Sequence, residues 1–213
     1  GWEVKNPRFA RWYACSMCEQ HYHGVVQCAL GWACWKTYFG RPETGNARLG
    51  AMSALGNGLG AADHHEDALS VREAALSMLR RVGAPEVRIL DMQCNLAESY
   101  QFLGRNESAL SLREVVYSGY IRLRGEEHVN TLISANNYAN ILNSLQRFEE
   151  VKALMRKTVP VARRVLGDCN ELTIMMRMNY AEALYGPTGA RPDDLREAVA
   201  TLEGLETTAR RVL

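Results

Sequence analysis

The sequence predicts an all-α fold built as an array of about four antiparallel helix pairs. A motif of asparagine, a large residue and alanine begins at Asn95, Asn137 and Asn179, each 42 residues after the last. Glycines recur at the same step, at Gly83, Gly125 and Gly167. Between these landmarks, apolar residues follow the i, i+3, i+4, i+7 spacing of one helix face. Self-similarity with a period of roughly 20 to 50 residues is typical of stacked repeat proteins, so the period decides the fold class.

The first part of the chain is predicted to contain one single helix and one helix pair. Val25–Phe39 is read as a helix because Gly40-Arg-Pro-Glu43 after it mirrors Gly83-Ala-Pro-Glu86. The next helix covers about Asn46–Ala62 and contains four glycines after Asn46, each weakening it by up to about 1 kcal/mol against alanine. Its partner helix begins near Glu66, since the segment from there to Glu73 matches residues 107–114 at a step of 41.

The later units repeat the pair. In the second unit one apolar face is formed by Leu90, Cys94, Ala97, Tyr100 and Leu103. Gly104 ends that helix, and the partner helix runs from Glu107 to about Leu123. Gly125 then ends the partner helix, because a residue without Cβ accepts the left-handed conformation of a helix end. Ala97, Ala139 and Ala181 are small side chains at one repeat position, which lets helix axes approach to about 8 Å. The fourth unit has an insertion at residues 185–192, and Asp193 or Asp194 is expected to cap the last helix.

Composition excludes several classes of protein. The 213 residues are 47% hydrophobic and 23% charged, with a net charge of +1. No strong single-sign field points to nucleic acid or an anionic membrane. No apolar run approaches the roughly 18 residues that span a bilayer. We therefore expect a cytoplasmic protein with reduced thiols and no membrane partner. Ala209–Leu213 repeats Ala162–Leu166 without the following glycine, so we expect a fragment of a longer protein.

These helix pairs resemble the tetratricopeptide (TPR) repeats of the kinesin light chain type. The resemblance rests on the entry Gly125-Glu-Glu-His128-Val-Asn-Thr131-Leu132, the core Asn136-Asn137-Tyr138-Ala139 and the exit Arg164-Val-Leu-Gly167. It covers about residues 44–213. Val129 stands where the family usually has proline, and the insertion in the fourth unit is a second departure.

The resemblance implies a right-handed superhelix whose first helices line a concave groove for a peptide or a partner helix. The residues expected to bind this partner are Asn95, Asn136, Asn137, Asn140, Asn179, Glu98 and Glu182. An asparagine amide offers donors and an acceptor to a peptide backbone. The alternative is that these asparagines cap turns or bond within the array. The lysine clamp of chaperone-binding repeats is not expected, because Asp91, Ile133 and Met175 are among the residues at the corresponding positions.

The N-terminal segment, residues 1–24, supports a competing hypothesis to the repeat domain at 25–213. Cys15, Cys18, His23 and Cys28 have the spacing C-x2-C-x4-H-x4-C, which resembles a zinc knuckle. Three thiolates and an imidazole make a closed tetrahedral zinc site. However, Tyr22 stands where a knuckle usually has glycine, and Cys28 falls in the predicted helix. We expect no cofactor, with one structural zinc as the alternative.

Nucleic-acid binding and catalysis are two further candidate functions. Nucleic-acid binding through residues 12–28 would use stacking on Trp12, Tyr13 and Tyr22. It is not expected, because Lys5, Arg8 and Arg11 are the basic residues close by. Catalytic motifs are absent, and an enzyme would require a low-pKa thiolate at Cys15 or Cys18; Cys94 and Cys169 are expected to be buried thiols. The predicted function is a non-enzymatic scaffold that binds a protein or peptide partner.

Overall fold

The computed structural model describes residues 7–186, 188 and 190–210. Ten helical segments occur within these residues: α1 (Pro7–Ala10), α2 (Gly24–Tyr38), α3 (Asn46–Ala61), α4 (His65–Arg81), α5 (Glu86–Phe102), α6 (Asn106–Arg124), α7 (Val129–Ser144), α8 (Phe148–Leu166), α9 (Glu171–Tyr185) and α10 (Pro192–Ala209). In this described part, the β pairing consists of an isolated antiparallel bridge between Ala14 and His21. The predicted all-α class and the predicted order of helices are confirmed.

The chain divides into two compact units. Residues 1–105 hold α1 to α5, and residues 106–213 hold α6 to α10. This division separates two units that are each internally compact. The predicted boundary between residues 24 and 25 separates something else, the Cys/His-containing segment from the repeat domain, and it stays a prediction. Among the described residues, no helix is long and apolar enough to cross a membrane.

In the first unit, α2 and α3 pack backbone against backbone. A Cβ on Gly58 would lie 2.6 Å from the carbonyl oxygen of Gln27, and one on Gly31 would lie 2.8 Å from that of Ala54. Only glycine at both positions permits this approach. The adjoining core contains Phe9, which stacks on Tyr38 with ring centroids 5.0 Å apart.

In the second unit, α7 packs against α6, α8 and α9. The small residues predicted for the seam lie at its centre, since Ala139 and Ala181 are fully buried, as is Ala97 in the first unit. A larger side chain at any of these positions would force the helices apart.

The repeated entry motif is explained by helix capping. The Nδ1 atom of His128 accepts a hydrogen bond from the backbone N–H of Asn130 at 3.1 Å, which caps α7. Asn170 lies 42 residues later and caps α9 in the same way, with its Oδ1 accepting from the N–H of Leu172 at 3.0 Å. Both acceptors satisfy a backbone donor that has no partner inside its helix. Before His128, Gly125 ends α6 with φ +81°, and its carbonyl accepts from the Thr131 hydroxyl at 2.7 Å.

Candidate functional site

In the second unit, each first helix of a pair exposes one stripe of side chains. In α7 the stripe consists of Val129, Ile133, Asn137, Asn140 and Ser144, with Asn137 half-buried and the others exposed. In α9 it consists of Glu171, Met175, Met178, Glu182 and Tyr185. The spacing of three or four residues keeps each stripe on one side of its helix. The two helices α7 and α9 pack against each other, and we refer to their two stripes together as the α7–α9 face.

The structure divides the predicted partner-binding asparagines into two groups. Asn137 and Asn140 lie on the α7–α9 face, whereas Asn136 and Asn179 are buried, with exposed fractions of 4% and 9%. The amide of Asn179 donates to Oδ1 of Asn136 at 2.8 Å. Neighbouring helix residues point about 100° apart, so Asn136 turns inward where Asn137 turns outward. The alternative of bonding within the array therefore describes Asn136 and Asn179.

A second amide holds a carboxylate at the edge of the α7–α9 face. Nδ2 of Asn143 donates to Oε2 of Glu182 and to the carbonyl oxygen of Asn179, both at 3.2 Å. Asn143 is buried, while Glu182 is exposed. The bond fixes the position of an acidic group that a partner can still reach.

The sequence interpretation missed the apolar part of this face. Ile133 is 42% exposed, Met175 39% and Met178 56%. Ile133 and Met175 occupy the same repeat position, 42 residues apart. The sequence contained one indication of this apolar surface: Ile133 and Met175 are apolar although they lie outside the buried stripe of their helices. Scattered exposed apolar residues are ordinary, but here three of them lie on two helices that pack against each other.

In the first unit, Asn95 and Glu98 line a cleft of about 430 Å³. The cleft is organised by Arg72, whose side chain is 6% exposed and forms an ion pair with Glu98 at 3.0 Å. Nη1 of Arg72 also donates to the carbonyl oxygen of Asn95 at 2.8 Å. At its edge, the rings of His65 and Phe102 stack with centroids 4.6 Å apart. This second surface is more polar than the α7–α9 face.

The four predicted zinc ligands are not brought together. Cys15 and Cys18 lie in one turn, whereas Cys28 is half-buried and packs against the cluster containing Leu55 and Leu59. His23 is exposed and precedes α2. Within the residues that the structure covers, no three His, Cys, Asp or Glu side chains are grouped to hold a metal.

The Cys15 thiol has an unusual environment for an exposed turn. Backbone N–H groups of Cys18 and then of Met17 donate to its sulfur and lower the pKa of Cys15, with a smaller contribution from the Tyr22 hydroxyl. Hydrogen bonds to the charged form of a group favour that form. These contacts favour the thiolate form of Cys15 relative to an ordinary cysteine.

The aromatic residues proposed for nucleic-acid stacking are only partly accessible. Tyr13 is 8% exposed and belongs to the core, so it offers no ring to a base, while Trp12 and Tyr22 are half-buried. Lys5 and the side chain of Arg8 lie outside the described residues. Among the remaining thiols, Cys94 is half-buried and Cys169 is exposed, so the prediction that Cys169 is buried is wrong.

The helix pairs, the buried alanine seam and the capped entries together define an all-α helical repeat array. Comparison with known proteins agrees with this class. Residues 88–164 match the family model for the tetratricopeptide repeat. No curated protein sequence matches the chain. The predicted resemblance to repeats of the kinesin light chain type is confirmed by this match and by the similar structures described next.

Several solved structures share the fold. The nearly identical TPR-like repeats of a kinesin light chain from Podosopora anserina align with a TM-score of 0.67 at 18% identity, over 88% of this chain and 85% of that one. BtubC (BKLC) from P. vanneervenii aligns with a TM-score of 0.63 at 17% identity, over 86% and 83%. A Rap protein complexed with competence and sporulation factor gives 0.59 at 16% identity, over 84% of this chain and 46% of that one. At these identities the likeness concerns the fold.

Proposed function

We propose that this chain is a protein-interaction scaffold that binds a peptide or partner helix on the α7–α9 face. The observation that carries the proposal is that Ile133, Met175 and Met178 are exposed on the same two packed helices that carry the stripe with Asn137 and Asn140. TPR arrays generally mediate protein–protein interaction through surfaces extended over several repeats. The Rap protein, which shares this fold, was solved in complex with competence and sporulation factor.

The chemistry of the face favours an apolar partner segment. The 16 residues of α7 include no charged side chain, so the middle of the face attracts neither sign of charge. Methionine side chains adapt to differently shaped apolar groups, and the asparagine amides accept from or donate to a peptide backbone. Glu182 places a negative charge at one edge, where a basic residue of the partner gains a favourable contact.

The proposal is tested by selecting peptides and then changing the face. A displayed peptide library is selected against the wild-type chain, and the affinity of one recovered peptide is measured by isothermal titration calorimetry. We expect Met178→Glu to weaken binding by roughly tenfold or more, because a carboxylate would have to lose its water against apolar groups. Asn137→Ala should weaken it less, by the loss of a single hydrogen-bonding side chain.

The matched control is Val165→Glu in α8. Val165 is 42% exposed and lies outside the α7–α9 face, so the same change should leave affinity unaltered. Circular dichroism checks that each variant is folded. A peptide whose affinity falls with Val165→Glu but not with Met178→Glu would contradict the proposal. The proposed role includes no catalysis, and both that expectation and the cytoplasmic location stay predictions.

A further inference from the structure

Helix α10 exposes an apolar stripe that ends in a carboxylate. Its members are three or four residues apart and therefore share one side of the helix; they are Leu195, Val199, Leu202 and Glu206. The three apolar side chains are 42%, 54% and 44% exposed. We call these four residues the α10 stripe. Exposed apolar residues that adjoin one another mark interaction surfaces more often than scattered ones do.

The same positions are buried in the earlier helix pairs of this unit. Residues 162–166 recur at 209–213, which makes Val199 and Leu202 equivalent to two residues of α8, and the period extends this match to α6. The second helix of a pair packs against the first helix of the next, so that α7 packs on α6 and α9 on α8. The equivalent residues are at most 7% exposed: Leu110 and Arg113 in α6, and Lys152 and Met155 in α8. In this architecture the α10 stripe is therefore a surface suited to pack against a further helix.

Helix α2 exposes a second apolar stripe, which ends in a lysine. We call it the α2 stripe, and it consists of Val25, Ala29, Trp32 and Lys36, all of them exposed. The opposite side of α2 is occupied, because Cys34 is buried in a cluster with residues of α3. Lys36 is the single charged residue among the 15 of this helix. A helix that is apolar on more than one side is usually buried on each of them, so the α2 stripe is also a surface suited to be covered.

The two stripes match in spacing and differ in charge. Both have apolar residues at i, i+4 and i+7 and a charged residue at i+11, which is lysine in α2 and glutamate in α10. When the stripes pack in parallel, the apolar positions lie level with each other and Lys36 lies beside Glu206. Two α10 stripes in parallel would bring like charges together, and antiparallel ones would set each carboxylate against an apolar residue. Charge complementarity therefore favours α2 against α10, and not either stripe against itself.

We propose that the α2 stripe of one copy of this chain packs against the α10 stripe of a second copy. Such a contact is heterologous, because the two surfaces differ, and it leaves one stripe of each kind for further copies. The ion pair between Glu206 and Arg210 does not oppose it, since both side chains are more than half exposed and surface pairs contribute little. The inference uses other residues than the α7–α9 face, so the two proposals stand or fall separately.

Analytical ultracentrifugation of the full chain over a concentration series tests the contact. We expect the mean mass of the wild type to rise with concentration. Trp32→Glu and Val199→Glu should each weaken self-association by roughly tenfold or more, because a carboxylate would have to lose its water against apolar groups. The control Val165→Glu changes an exposed residue outside both stripes and should associate as the wild type does. Circular dichroism checks that each variant is folded.

Exchange of the two charges tests the register. Lys36→Glu and Glu206→Lys should each weaken self-association, because each places like charges side by side in the parallel pairing. A chain that carries both changes should regain it, since the ion pair is restored with its signs reversed. Failure of this double variant to recover, with both single variants weakened, would contradict the parallel alignment of the stripes.

The decisive measurement mixes the two variants that no longer self-associate. Trp32→Glu keeps an intact α10 stripe and Val199→Glu keeps an intact α2 stripe, so an equimolar mixture should form a dimer with one copy of each. A fluorescent label on one variant detects this dimer in the ultracentrifuge. A mixture that stays monomeric overturns the inference. So does a wild type that stays monomeric, since both stripes would then be left to a different protein. Self-association that only one of the two variants loses would assign the contact to two copies of the same stripe and would also overturn it.

Discussion

Arg72 is a residue whose role is visible only in the structure. Its segment, Glu66–Glu73, repeats at residues 107–114, so Arg113 holds the equivalent position. Arginine is usually exposed, yet Arg72 and Arg113 are only 5% and 6% exposed. Arg72 is accommodated because it donates to the Ser99 hydroxyl at 2.7 Å and pairs with Glu98 at 3.0 Å. The repeated arginine is a structural feature of the array.

Tyr180 gives a prediction at the scale of one titrating group. Its burial in α9, together with its hydrogen bond to Glu197, raises the pKa of Tyr180 from 10.0 to about 12. The folded state therefore holds this proton more tightly than the unfolded state does. The corresponding stability is fully present below pH 10 and is lost as the pH rises towards 12. We expect the free energy of unfolding of the wild type to fall more steeply over this range than that of Tyr180→Phe.

Chemical denaturation across this alkaline range measures the difference, and absorbance of ionised tyrosine follows the titration. Tyr185→Phe is the matched control, because Tyr185 lies in the same helix and is 53% exposed. Its pH dependence should parallel that of the wild type, including the contributions of other tyrosines with a raised pKa, such as Tyr117. An equal alkaline loss in the wild type and in Tyr180→Phe would show that Tyr180 is not responsible.

At the scale of an element, the glycines of α3 are not equivalent. A Cβ at position 58 would lie 2.6 Å from a backbone oxygen of α2, whereas a Cβ at position 60 would lie at an ordinary van der Waals distance, 3.8 Å, from Nη2 of Arg72. Gly58 is thus required by the approach of the two helices. Gly60 is not, although both weaken the intrinsic stability of α3.

We expect Gly58→Ala to lower the free energy of unfolding by about 1–3 kcal/mol, because α2 and α3 must separate. Gly60→Ala should leave it unchanged or raise it by up to about 1 kcal/mol, because alanine favours a helix. Denaturant titrations of the two variants, followed by circular dichroism at the helix band, provide the comparison. A loss of the same size in both variants would contradict a specific role for the contact between Gly58 and α2, and an equal gain in both would show that helix propensity outweighs that contact.

At the scale of the whole molecule, repeat proteins are stabilised by nearest-neighbour terms that sum along the array. Gly58 lies in the unit of residues 1–105 and Ala139 in that of residues 106–213. Ala139 is fully buried, so Ala139→Leu should overpack its seam at a cost of about 1–3 kcal/mol. The backbone that Gly58 approaches belongs to Gln27 and Cys28, within its own unit.

Because these partners differ, we expect Gly58→Ala and Ala139→Leu to have additive effects. The double variant should lose the sum of the two single losses within about 0.5 kcal/mol. Denaturant unfolding of the four proteins in the cycle measures this, with circular dichroism and tyrosine fluorescence recorded together to compare the two probes. A coupling energy well above that value would show that strain in one unit is felt by the other.

The repeat architecture could be predicted because equivalent residues recur at a fixed period in the sequence. Landmarks 42 residues apart, such as Asn137 and Asn179, place equivalent residues in equivalent helices, and Gly125 marks a helix end by its backbone freedom alone. These patterns depend on residues near in the sequence and not on which residues pack against the helix. The sequence also suggested Asn137, Asn140 and Glu182 as partner-binding residues, and that assignment stays a prediction.

The sequence by itself determined the all-α repeat class, the helix order and the small residues of the seam, because period, helix ends and side-chain size are local properties. Only the tertiary structure decided which side chains turn outward. Asn136 and Asn137 are adjacent and chemically identical, yet the first bonds to Asn179 inside the array and the second reaches the α7–α9 face. The tertiary structure also decided the place of Cys28, which packs against a hydrophobic cluster and does not join Cys15 and Cys18. Burial and hydrogen-bond partners depend on residues distant in the chain, so no local pattern records them.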